Sequence, residues 1–375
     1  MMTILWISSS GCTASDSSDS TKDDPFDYDN RDDVWLTRQQ TPDSQFKPAQ
    51  VEDVMNSLVD GLNQVEKEEK TTIAFIPKDL SSYFEVAIQG AYRALEELGV
   101  PGSIVALNPQ SITQDDLITQ QIEVCQEQVS RGVDGMGLAP VGADIGVEIE
   151  NAVAAGTTVV TFDNDQPNSG RHLYVGTINA NAGARAGETL VDLLGDETGK
   201  VIILGATSEG WTDGYARTYE AREVIEAAGN TVAVVDGDWY DYSVTEADLI
   251  AAMEKAGTDL VGCLGVFSNS YQCADAAESL GIIDRIKIAA FDFEPPTISH
   301  MEKGQIQVTH AQRQYYMGYL VPYVLYSIEV LGLDDTKALL RDLMVDDERI
   351  DTGLDVIRQE DVTKYYEFLG ELGIR

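Results

Sequence analysis

Six short segments concentrate the side chains that could bind or transform a small molecule. They read PKDLSSYF (77–84), DNDQP (163–167), GDWYDY (237–242), FSNSY (267–271), FDFEPP (291–296) and THAQRQYYMGY (309–319). Asp163 and Asp292 offer carboxylate acceptors, and Asn269 and Gln312 offer donor and acceptor atoms together. Phe84 and Trp239 offer flat apolar faces at low conformational cost. Two carboxylates could in principle act as an acid and a base. The signatures that accompany enzyme chemistry are missing, with no GxSxG, no Walker A loop and no HExxH. His172, His300 and His310 lack metal-ligand spacing, and Cys125, Cys263 and Cys273 form no CxxC or Cys/His pattern. The Gly-rich stretch GATSEGWTDG (205–214) matches neither nucleotide fingerprint. The residues therefore point to binding without catalysis, and to no cofactor or metal.

These segments need elements to position them. From residue 71, short apolar runs alternate with amphipathic stretches. Strands are predicted at 72–76, 103–107, 135–140 and 157–162, with helices at 85–98, 115–130 and 145–155 between them. The pattern restarts at residue 180. Helices are predicted at 180–194, 217–228, 244–255 and 270–280, and strands at 201–205, 231–237, 260–266 and 286–291. Glycine recurs after each first-half helix, as a left-handed C-terminal cap requires. Strands alternating with helices of this length mean right-handed βαβ units and parallel sheets. Two such halves in series imply an α/β protein of two similar, doubly wound lobes. In open parallel sheets ligands bind at the carboxyl ends of the strands, where the six segments fall.

At these residues the sequence resembles the ribose-binding family of periplasmic sugar-binding proteins, the soluble receptors of ABC importers. The likeness runs from about residue 71 to 358 and rests on TFDND with Asp163, LYVGTINANAGARAGE (173–188), AAFD with Asp292, and HAQRQYYMGY with Gln312. The resemblance implies the type I periplasmic binding fold, two lobes joined by a three-segment hinge, with a sugar held in the cleft. It implies ligand contacts from Ser82, Phe84 and Asp163 on the first lobe. On the second it implies Trp239, Asn269 and Asp292, with Gln312 at a hinge. Lys78 and Asn164, which replace the family's residues, and Arg217, near Tyr215 where the family often has an Arg, are counted as ligand contacts by their position. A sugar has apolar C–H faces and a rim of hydroxyls, which aromatic faces and carboxylates complement. The pattern departs from the ribose binders at Lys78, Tyr83, Glu85, Asn164, Ala139 and Tyr215, so ribose itself is not the implied ligand. Lys78 in an IPK context resembles relatives that take rhamnose or a furanosyl autoinducer, and Lys78 could pair with Asp163 or Glu85.

The rest of the chain sets the surroundings. The net charge of −39 argues against nucleic acid and against an anionic membrane surface. Met1 to Cys12 reads MMTILWISSSGC, which looks like the end of a bacterial lipoprotein signal with Cys12 lipidated. The expectation is a signal remnant at 1–12, an acidic disordered tether at 13–50 and an amphipathic helix at 51–70. The first lobe is expected at 71–176 plus 313–345, and the second at 177–312 plus 346–375. The tyrosines of 315–326 form a helical band suited to core packing, and Cys263 and Cys273 are either bridged or buried thiols. The function expected is a monomeric, membrane-anchored sugar receptor on the periplasmic or extracellular face, delivering to an ABC permease. A ligand sensor signalling to a membrane receptor is the alternative. A LacI-type repressor shares the core, but the acidic N-terminus speaks against it.

Overall fold

The computed structural model describes residues 4–7, 34–68, 70–107, 113–209, 212–237 and 242–374. The first part of the chain gives β1 (Ile4–Ile7), α1 (Ala49–Leu62), β2 (Ile73–Ile76), α2 (Ser82–Leu98), β3 (Gly102–Val105), α3 (Gln114–Ser130), β4 (Gly135–Leu138), α4 (Ile145–Ala154), β5 (Thr158–Phe162) and β6 (Leu173–Gly176). A second run follows with α5 (Asn179–Leu194), β7 (Lys200–Gly205), α6 (Thr212–Ala227), β8 (Thr231–Asp236), α7 (Tyr242–Ala256), β9 (Leu260–Gly265), α8 (Gln272–Ser279), β10 (Lys287–Phe291), α9 (Pro295–Glu302) and β11 (Val308–Ala311). The chain then supplies α10 (Gln314–Leu331), α11 (Leu333–Leu340) and β12 (Arg349–Asp351), and ends on β13 (Asp355–Arg358) and α12 (Val362–Glu371).

Two sheets result. The first has the order β1-β3-β2-β4-β5-β6-β12, parallel except where β1 runs antiparallel to β3. The second has the order β13-β11-β10-β9-β7-β8, parallel except for β13. The central strands are buried along their whole length, as both-face coverage by helices demands. The fold is thus the doubly wound, two-lobe architecture that the alternation predicts.

The chain passes between the sheets three times, after β6, after β11 and after β12. Sequence reasoning placed the third passage at 345/346. It falls instead at 352–354, because Arg349–Asp351 pairs in parallel with Tyr174–Gly176 and so extends the first sheet. The passages are tied together. Arg313 donates to Asp355 Oδ1 at 2.7 Å and to the Thr352 carbonyl at 3.1 Å. Thr177 Oγ1 donates to the Gln312 carbonyl at 3.4 Å.

The disordered tether expected at 13–50 does not extend over 34–50. Residues 34–48 pack on the first lobe, with Leu36 and Phe46 buried. Asn63 pairs with both backbone groups of Leu36, and Arg38 forms a buried ion pair with Glu52. Glu52 also accepts from Thr41 Oγ1 at 2.5 Å. Residues 13–33 lie outside the described residues. Helix α1 stops at Leu62, short of residue 70. Past that point only Val65 continues the apolar face, and Trp35 Nε1 lies 3.2 Å from the carbonyls of Leu62 and Val65.

Helix α10 is apolar on every side and runs through the first lobe against α2. Its tyrosines are core, as the sequence suggested. Tyr323 donates to Glu97 Oε2 at 2.7 Å, Tyr319 bonds the same oxygen, and Arg38 Nε donates to Tyr319 at 3.2 Å. Among the described residues no helix is long and apolar enough to cross a membrane. Cys125, Cys263 and Cys273 are buried free thiols.

Candidate functional site

The two lobes present the same device at the same place. Asp163 follows β5 and Asp292 follows β10, and both adopt left-handed backbone, at φ 63° and 62°. Arg313 is the one other non-glycine residue of this kind among the described residues, at φ 55°. An L-residue in this region is strained, and such strain gathers at functional sites. Here the three positions mark the two facing carboxylates and the second passage between lobes.

On the first lobe Asp163 is enclosed by polar partners. Lys78 Nζ lies 2.9 Å from its Oδ2, and Tyr83 donates to its Oδ1 at 2.7 Å. Lys78 also bonds Asn164 Oδ1. Tyr174 Oη donates to the Asp163 and Thr177 carbonyls, each at 3.1 Å, which fixes the strained turn from below. Burial, then the neighbouring Asp163 carboxylate, pushes the Tyr83 phenol well above its usual range, so it stays a donor. Phe84 differs from the expected stacking platform. It is 5% exposed and packs edge-on against Tyr83 and Phe162, with ring centroids 5.0 and 6.5 Å away.

On the second lobe a chain of charge-assisted bonds runs to Asp292. Gln312 Nε2 donates to Asp292 Oδ1 at 2.9 Å. Arg217 Nη2 donates to Gln312 Oε1, its Nε to Asn179 Oδ1 at 2.7 Å and its Nη1 to the Val266 carbonyl at 3.1 Å. The guanidinium lies 5.0 Å from the Phe291 ring centroid. Asn269 donates to Gln272 Oε1 at 3.0 Å, but its own Oδ1 is buried with no partner among the described residues. Asp213 Oδ1 is in the same state. A buried acceptor without a donor is costly, so these two oxygens suit a ligand that brings hydroxyl hydrogens. Ser82 donates to Glu294 Oε2 at 2.6 Å, a bond directly from one lobe to the other.

Of the residues predicted from sequence, Lys78, Asp163 and Asn164 form one cluster, and Arg217, Asp292 and Gln312 another. Ser82 stands at the interlobe contact, and Asn269 lies at the carboxyl edge of the second sheet. Trp239 and Cys12 lie outside the described residues. Sequence reasoning missed Tyr83, Tyr174, Asn179, Asp213 and Glu294 as parts of the site. Tyr83 and Glu294 sit one or two residues from named positions, and Tyr174 and Asn179 lie inside the LYVGTINANAGARAGE motif, which was the available signal.

His310 and His300 make contacts within the second lobe. His310 stacks on Phe291 and holds the Ala290 carbonyl from Nδ1 at 2.8 Å. His300 contacts Asp275 Oδ1 at 3.0 Å and Gln305 Oε1 at 2.6 Å, which ties α9 to α8.

Burial raises the Asp292 carboxyl from 3.8 to about 7, against the opposing pull of Arg217 and Gln312. Burial lowers the His310 imidazole from 6.5 to about 4. The folded chain keeps a proton on Asp292 that the unfolded chain releases, so this group favours folding at low pH and the gain is lost as pH rises through about 7. His310 acts in the opposite sense. Below about 6.5 the unfolded chain takes up a proton that the folded chain refuses, so stability falls as pH drops towards about 4. Asp292→Asn removes the first effect and keeps the second. Urea unfolding of the variant should therefore lose more stability than the native chain between pH 7 and about pH 5. Parallel losses would mean that Asp292 titrates as an ordinary surface acid.

The profile of the periplasmic binding protein domain matches residues 73–330. The chain belongs to the periplasmic binding protein family. Comparison of folds agrees. A solute-binding protein from Burkholderia graminis, solved in complex with D-arabinose, is 25% identical with a TM-score of 0.63, covering 80% of this chain and 99% of its own. An arabinose-binding protein from Geobacillus stearothermophilus is 21% identical with a TM-score of 0.67, covering 80% of this chain and all of its own. The XylFII–LytSN complex contains a chain 22% identical with a TM-score of 0.61, covering 78% of this chain and 99% of its own. Sequence comparison with curated proteins finds no match. Periplasmic binding proteins are solute receptors rather than enzymes.

Proposed function

We propose that this periplasmic binding protein is the solute receptor of an ABC importer, capturing an uncharged monosaccharide or a related small polyol between its lobes. The observation that carries the reading is the pair of strained aspartates at equivalent strand ends, each matched by one cation. Lys78 accompanies Asp163, and Arg217 stands behind Gln312 and Asp292. Each of these two aspartates thus has a cation near it, so neither requires a cationic ligand. The unpartnered Asn269 and Asp213 oxygens favour a ligand rich in hydroxyl donors. Asn164, Ser82 and Trp239 complete the contact set in this reading, with Trp239 supplying the stacking face that Phe84 does not. Ligand contacts to both lobes shift the open–closed equilibrium towards closure. The closed monomer then docks on an ABC permease, held at the periplasmic or extracellular face by a lipid on Cys12.

A sensor signalling to a membrane receptor is the second reading; a chain of the same fold occurs in the XylFII–LytSN complex. A pull-down with the closed, sugar-loaded chain separates the two. Recovery of a permease supports transport, and recovery of a kinase ectodomain supports sensing.

A thermal-shift panel of pentoses, hexoses, deoxysugars, polyols, sugar acids and a furanosyl autoinducer tests the ligand class. A ligand at 100 times its Kd stabilises the fold by roughly 2.7 kcal/mol. A shift with one neutral sugar is the expected result. Shifts confined to sugar acids would show that Lys78 is free to meet the ligand rather than neutralised by Asp163.

A further inference from the structure

The segment before residue 73 lies outside the matched domain, and the compared structures cover only 78–80% of this chain while being covered nearly completely themselves. Residues 34–62 are held on the first lobe by the Arg38–Tyr319 bond and the buried face of α1, and the Arg38–Glu52 pair ties the stretch before α1 to that helix. One stretch of it reaches further. The Phe46 ring meets Tyr365 edge-on at 4.8 Å and Phe368 at 6.2 Å, and Gln45 Nε2 donates to Asp361 Oδ1 at 2.9 Å. All three partners belong to α12 or its N-terminal turn, which follows the last strand of the second sheet.

The same Tyr365 touches the ligand loop of the second lobe. Phe293 packs on Tyr365 at 4.6 Å and on Tyr366 at 5.1 Å. Phe293 lies between Asp292, the strained carboxylate, and Glu294, which accepts the interlobe bond from Ser82. A continuous aromatic line thus runs from Phe46 through Tyr365 to Phe293. Its first member moves with the first lobe, and its last sits in the loop that carries Asp292.

We propose that residues 34–48 are a strap, and that Phe46 is a positioning residue which holds the Asp292 loop and favours the closed arrangement of the lobes. Residues 34–48 meet α12 in the same structure in which the Ser82–Glu294 bond is made, so in this proposal α12 moves with the second lobe and opening strains the Phe46–α12 contact. The inference rests on the proposed receptor function for its affinity readout, but not for its conformational one.

The test uses the full chain with Phe46→Ala, with Leu58→Ala as control. Leu58 is fully buried on α1 but contributes to no contact with α12 in this aromatic line. Small-angle scattering without ligand should give a larger radius of gyration for Phe46→Ala than for the native chain. The Kd for the sugar found by thermal shift should rise about fivefold or more. Leu58→Ala should lower stability and leave both readouts unchanged. Gln45→Ala, which removes only the surface bond to Asp361, should move both in the same direction by a smaller factor, and it serves if Phe46→Ala does not fold. Native radius and native Kd in Phe46→Ala, or in Gln45→Ala where only that variant folds, would overturn the strap. Failure of the native chain to bind any sugar would overturn the ligand reading instead, and scattering would still decide the strap.

Discussion

Arg217→Met should abolish capture and weaken the fold together. The guanidinium is buried and holds Gln312, Asn179 and the Val266 carbonyl at once. Methionine keeps much of the stem's packing but leaves three acceptors without this donor, two of them buried, and Asp292 without the nearby cation that opposes its desolvation. Breaking a buried network by removing one partner costs about 3–5 kcal/mol. Gln312 is then free to rotate away from Asp292, so the carboxylate loses its aim as well as its counter-charge. We expect sugar affinity to fall at least about 100-fold, equivalent to roughly 2.7 kcal/mol, by calorimetric titration. Urea unfolding should show a stability loss of about 3 kcal/mol at neutral pH. A variant that binds normally would mean that Gln312 is aimed by the hinge backbone alone.

The largest effect on stability should come from a single methyl group between α2 and α10. A Cβ placed on Gly318 would sit 1.8 Å from the Ala87 carbonyl oxygen, and one on Gly90 would sit 2.1 Å from the Tyr315 carbonyl oxygen. Both obstacles are backbone, so no rotamer change relieves them. Gly318→Ala should cost about 3 kcal/mol or more by forcing the helices apart, at the upper end of overpacking penalties. Gly370→Ala is the matched control, because nothing lies within 4 Å of a Cβ there. It should stabilise α12 by up to about 1 kcal/mol through helix propensity alone. Equal small changes in the two unfolding free energies would contradict the close α2–α10 packing.

The alternation of apolar runs and amphipathic stretches was enough to read the fold, because parallel strands buried on both faces and glycine-capped helices leave strong local patterns. The strand ends were legible for the same reason, and with them Asp163, Asp292 and the polar segments. Two features were not. The third passage was placed too early because β12 is three residues long and pairs with β6, far away in sequence. The strap was hidden because Leu36, Arg38 and Phe46 are isolated in a polar stretch, and only tertiary partners such as Asn63, Glu52 and Tyr365 give them a place. Phe84 shows the same limit within the site. Its position after β2 suggested a stacking face, whereas the aromatic cluster of Tyr83 and Phe162 draws it inward.

The most direct measurement is an isothermal titration of the full chain with the neutral sugar that gives the largest thermal shift, repeated on the Asp163→Ala, Asp292→Ala double variant. The account predicts one site per chain, micromolar or tighter, and no detectable heat from the double variant in the same concentration range. Binding of that sugar by the double variant with the native Kd would place the ligand somewhere other than between these two aspartates, and would contradict the account.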